Sequence, residues 1–144
     1  MMIDLELLEK GLSIDDQNYQ FFVLFGIFDK LARSLINNMN GSNGYFGCLK
    51  CYIQGSNVSF KNGSHIIFRP ESRILSRTHE EYLKDIDACN LSGTMIRGVK
   101  GETILSRLRF LRPTKSIVID PMHTIFLGVV KDLFRYWFDS PVKE

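Results

Sequence analysis

Two apolar runs each end in an aspartate where a helical pattern begins, and this pairing constrains the fold more than any other feature of the chain. The stretch 116–134 reads SIVIDPMHTIFLGVVKDLF. Its β-branched residues Ile117, Val118 and Ile119 predict a short strand. Asp120 closes it, and Pro121 suits the first helical position because it has no N–H to satisfy there. A helix is then predicted to about Phe138, with Ile125, Val129, Leu133 and Trp137 on one face. The stretch 19–29, YQFFVLFGIFD, is continuously apolar and aromatic, which predicts a buried strand ending in Asp29. After it, KLARSLINNMN places Leu31, Leu35 and Met39 four apart, a helical stripe. In open α/β sheets, sites form beyond the carboxyl ends of the strands. Acids placed there by two buried strands, Asp29 and Asp120, can converge.

The rest of the chain fits the same organisation. DLELLEKG (4–11) reads as a short helix closed by Gly11. GSNGYFGCLKCYIQGSN is a loop carrying two thiols, and HIIFRP a short strand stopped by Pro70. SRTHEEYLKDIDACNLSG has the signals of a capped helix ending near Gly93. GVKGETILSRLRFL begins in a turn and continues as a basic amphipathic segment. This order of strands and helices is α/β. One domain is expected: a helix and linker (1–18), a strand–helix unit with Asp29 (19–40), an insertion and helices (41–115), and a second strand–helix unit (116–139).

Composition excludes several classes. With 44% hydrophobic and 24% charged residues in a chain of 144, disorder and collagen-like repeats are ruled out. A formal charge of +2 does not by itself indicate nucleic acid. No apolar run approaches the roughly 20 residues of a membrane span, so no membrane partner is expected. The acidic, amphipathic start MMIDLELLEKGLSIDD is not a secretory signal. Three cysteines, an odd number, argue against a disulfide framework and for reduced thiols or a metal site. The chain reads as soluble and intracellular.

Each candidate site residue has two readings. Asp29 can cap the following helix, or serve as a carboxylate ligand for a hard cation such as magnesium. Asp120 and His123 can be a cap and a structural hydrogen-bonder, or side chains held together within reach of one metal. Cys48 and Cys51 form a CxxC that can hold zinc if two more ligands join them, from His65, His79, Cys89 or His123. Two buried thiols or a redox pair are the other readings. The basic residues from 97 to 115, among them Arg97, Lys100, Arg107 and Arg109, can contact DNA phosphates or form a solvated helix face.

Taken together, FDKLARSLINNMNGSNGYFGCLKC, RTHEEYL, GVKGETIL and IVIDPMHTIFLGVVKDLFRYWFD resemble the central part of cut-and-paste DNA transposases of the CACTA (En/Spm) type. The resemblance is closest to the related metazoan transposase-domain proteins and runs from about Phe28 to Phe138. It implies a ribonuclease H-like fold, partial here, with a cysteine-bearing insertion. It also implies magnesium-dependent cleavage of a DNA phosphodiester and transfer of the freed 3′ hydroxyl, with transposon ends as partner and a nuclear location. On that resemblance Asp29 matches the second aspartate of the catalytic acidic triad, Asp120 and His123 the D-x-x-H motif, and Cys48 and Cys51 the CxxC. Leu31 stands where the family has proline. The first aspartate and the final glutamate are unassigned. Asp4, Asp15 and Asp16 follow no convincing strand, and Asp139 and Glu144 fall at a helix end or beyond it. The expectation is a fragment or degenerate copy, inactive as this polypeptide alone. The alternative is a zinc-stabilised DNA- or protein-binding module; self-association is compatible with either.

Overall fold

The computed structural model describes residues 2–61, 63–69 and 73–139. Helix α1 (Met2–Lys10) is followed by an antiparallel hairpin of β1 (Leu12–Ile14) and β2 (Gln17–Tyr19). Its two-residue turn is Asp15–Asp16, both at positive φ (50° and 60°). A tight two-residue hairpin requires that conformation, and aspartate tolerates it. The hairpin falls within what the sequence reading took as linker, and it places Asp15 and Asp16 in a turn.

Strand β3 (Gly26–Phe28) leads into α2 (Lys30–Ile36). A long loop carries Cys48 and Cys51, and a second antiparallel hairpin follows, β4 (Ser56–Phe60) with β5 (Gly63–Ile67). Pro70, read as the stop of that strand, lies outside the described residues. Helix α3 (His79–Ser92) has the ends its sequence predicts. Thr78 and Glu81 form a reciprocal capping box, and Gly93 closes the helix in the left-handed conformation at φ 65°. A 3₁₀ turn (Ile104–Arg107) and the short α4 (Pro113–Ser116) precede β6 (Ile117–Ile119). The remaining described chain is helical but unevenly wound: π-type over Met122–Val130, α over Lys131–Phe134 and π-type again over Arg135–Asp139.

The fold is mixed, with helices and small sheets in α/β order. Its core is built around α3 rather than beneath a broad sheet. Tyr82 and Ile86 of α3 pack with Met39, Leu49, Val99, Leu105, Leu108, Leu111 and Ile117. Three long-range links hold the loops against this cluster. Tyr82 Oη donates to Asn37 O at 3.1 Å, Thr103 Oγ1 donates to Ile36 O at 2.5 Å, and Lys50 Nζ donates to Thr114 O at 2.7 Å.

The strand over 19–29 is much shorter than its apolar run suggests. Residues 19–29 do not form a continuous buried strand: β3 covers three residues, and Leu24 and Phe25 are 63% and 64% exposed. The cause is the partner. β6 offers three residues between α4 and Pro121, which has no N–H to donate, so the parallel ladder cannot lengthen. The stripe of α2 likewise does not face the core, since Leu31 and Leu35 are 75% and 80% exposed while Met39, beyond the helix, is buried.

Candidate functional site

Strands β3 and β6 pair in parallel with Gly26, Ile27 and Phe28 opposite Ile117, Val118 and Ile119. Continued by one residue, this register sets Asp29 beside Asp120 at the carboxyl edge, where neighbouring strands run about 4.8 Å apart. The backbone register thus makes the two strand-end positions neighbours; among the described residues Asp29, Asp120 and His123 do not gather as a three-ligand metal group.

Each acid also has a local task. Asp29 is the N-cap of α2, its Oδ1 accepting from Ala32 N at 2.7 Å. Its Oδ2 makes no hydrogen bond to another described residue. Asp120 Oδ1 accepts from the backbone N–H of Met122 (2.8 Å) and of His123 (3.4 Å). Asp120 Oδ2 meets His123 Nδ1 at 2.5 Å. That contact with His123, with help from the two N–H groups, holds the Asp120 carboxyl below its ordinary range. Both readings of Asp29, and both of the Asp120–His123 pair, are therefore compatible with one geometry: each side chain is fixed by a hydrogen bond, and Asp29 keeps an oxygen to offer. Lys30 completes the neighbourhood. A Cβ on Gly128 would lie 3.6 Å from its Nζ, so the ammonium rests against the helix that follows Asp120.

The two thiols lie together: burial, and to a lesser degree the neighbouring Cys48, raises the Cys51 thiol above its ordinary pKa. Cys48 Sγ accepts from Lys50 N at 3.3 Å, and Cys51 is pinned by a backbone bridge to Ser76. Among the described residues, no three His, Cys, Asp or Glu side chains gather as a metal-holding group. His65 lies in β5 against the Phe60 ring, Cys89 is buried in α3, and His79 sits in the first turn of α3. None of them joins Cys48 and Cys51.

The basic candidates are partly committed elsewhere. Arg97 pairs with the buried Asp85, and Arg107 reaches Glu6 at 3.8 Å. Arg109 lies over the Phe110 ring, 5.3 Å from guanidinium carbon to centroid. The sequence reading missed the centre that occupies Arg97. Asp85, inside α3, accepts from Arg77 Nη1 at 2.9 Å as well as from Arg97, and both guanidinium groups stack on Tyr52. The available signal was Asp85 itself: it falls among the buried positions Tyr82, Ile86 and Cys89 of one helix, where a carboxylate needs a cationic partner.

Among the described residues, no helix is long and apolar enough to cross a membrane. Compared with protein-family models, curated proteins and solved structures, the chain matches none.

Proposed function

We propose that this chain is a portion or degenerate copy of a DNA transposase catalytic domain, with a partial ribonuclease H-like core, transposon-end DNA as its partner and a nuclear location. The observation that carries the reading is the parallel register of β3 and β6, which sets Asp29 beside Asp120 with His123 at hydrogen-bond distance. The donor set suits a hard divalent cation. Two carboxylates at a rigid strand edge, one with an uncommitted oxygen, match the one or two protein carboxylates by which magnesium is usually held, its other positions left to water and substrate. Asp29 and Asp120 would hold it. When bound, such an ion supplies charge stabilisation at the phosphodiester and activation of the attacking oxygen.

The protein's own contribution is positional. The cap to Ala32 fixes Asp29, and His123 with two N–H groups fixes Asp120 and keeps it ionised. Two carboxylates fall short of a two-metal ligand set, so this polypeptide alone is expected to leave plasmid DNA intact. The test is duplex binding with and without magnesium or calcium. A divalent cation is expected to strengthen binding, and Asp29→Asn or Asp120→Asn to remove that gain; binding indifferent to the cation would contradict the reading. Nicking that Asp29→Asn abolishes would overturn the inactivity.

A second reading, a zinc-stabilised DNA- or protein-binding module, draws on the adjacent thiols and the N–H donated to Cys48. It expects about one zinc per chain, with two further ligands, and unfolding on chelation. A fold indifferent to chelator and to Cys48→Ser would end it.

A further inference from the structure

A cleft of about 360 Å³ opens between the first turn of α3 and the segment 106–112, lined in part by His79, Glu80, Ser106, Arg109 and Arg112. Neither guanidinium has an ion-pair partner among the described residues. The one carboxylate of the cleft, Glu80, is turned back onto its own backbone N–H, which with Lys115 and His79 holds it below its ordinary pKa. Ser106 already donates to Thr103 O at 2.7 Å. His79 Nδ1 is shielded from water and has no hydrogen-bond partner. Burial, with Arg112 and Lys115 nearby, pushes His79 below its ordinary pKa; Glu80 opposes this. Such surroundings disfavour a metal cation at His79, the zinc ligand suggested by sequence, and favour the opposite charge.

We propose that this cleft binds a phosphate group, with Arg112 and Arg109 as charged donors and the His79 imidazole in the cleft wall as the group that senses its charge. Guanidinium groups pair with phosphate through two parallel N–H···O bonds, which gives direction as well as strength. Of the α3 backbone donors, Thr78 already takes the N–H groups of Glu81 and Tyr82; the proposed donors are the two guanidinium groups. The phosphate belongs either to a DNA backbone, which rests on the transposase reading, or to free phosphate, which does not.

The experiment is a titration of the full chain with inorganic phosphate, then with a short DNA duplex, following the imidazole signals of all three histidines by NMR. Phosphate is expected to shift the His79 signals saturably and raise the pH midpoint of His79, while His65 and His123 stay unmoved. Arg112→Ala is expected to weaken binding about tenfold, the effect of one charge-assisted hydrogen bond, and Arg109→Ala serves as an independent second variant. If duplex DNA competes with phosphate at His79, the site takes a phosphodiester. If phosphate binds and DNA leaves His79 untouched, the cleft stands as a free-phosphate site and the DNA reading loses support. If phosphate does not move His79, or moves all three histidines alike, the proposal is overturned, whatever DNA does elsewhere.

Discussion

At the scale of residues, two aspartates behave in opposite ways. Asp85 is buried between Arg77 and Arg97 above the Tyr52 ring. Removing one member of a buried charge cluster leaves the others uncompensated, which costs about 3–5 kcal/mol. Asp85→Ala is therefore expected to lose an amount of that order in urea unfolding, and a loss under about 1 kcal/mol would contradict the geometry. Asp29 is exposed and its cap is replaceable. Asparagine caps as well as aspartate, so Asp29→Asn should stay within about 0.5 kcal/mol of the parent, whereas Asp29→Ala should lose about 1 kcal/mol. This makes Asp29→Asn a clean probe of cation binding. His79 contributes pH dependence near neutrality. With its folded pKa lowered, the unfolded state binds the proton more readily, so stability falls as pH drops through the unfolded value near 6.5. His79→Gln should flatten that fall between about pH 7.5 and 5 in denaturant titrations. The strand-end acids were legible because each follows a short apolar run and opens a helix. The Arg77–Asp85–Arg97 cluster was not fully legible, because Asp85 lies in α3 and its arginines in the chain on either side of that helix, and charge spacing carries no record of their meeting there over Tyr52.

At the scale of elements, α3 was legible from end to end. Thr78, Glu81 and Gly93 are local signals, and local hydrogen bonds decide where such a helix starts and stops. Thr78→Ala removes the Glu81 N–H acceptor and should cost about 1 kcal/mol by thermal unfolding. The segment 19–29 was not legible, because its apolar content describes a strand in need of a partner and says nothing of the partner's length. β6 supplies three residues, and β3 matches them. The π-type winding of Met122–Val130 was also out of reach of periodicity, which registers an apolar stripe and not the hydrogen-bond step. The β1–β2 hairpin is intermediate: its Asp-Asp turn is a local signal, though weaker than the Asn-Gly or Asp-Gly pairs that usually mark one.

At the scale of the molecule, the α3-centred core leaves the parallel pair and the helix after it largely uncovered. Phe25, Phe126, Trp137 and Phe138 are among the exposed aromatic residues. Exposed apolar surface of this extent favours association, and YQFFVLFGIF is the segment from which it is expected first. Replacing Leu24 and Phe25 together by lysine should raise solubility with little change in unfolding midpoint, because neither belongs to the core. The carboxyl edge of the pair remains the feature around which a function can be built. The most direct measurement is paramagnetic broadening of backbone NMR signals by manganese, a stand-in for magnesium at oxygen ligands. Trace manganese is expected to broaden residues around Asp29 and Asp120 together, excess magnesium to reverse the effect, and Asp29→Asn with Asp120→Asn to abolish it. Broadening confined elsewhere, or unchanged in the double variant, would contradict a shared cation site at the ends of β3 and β6.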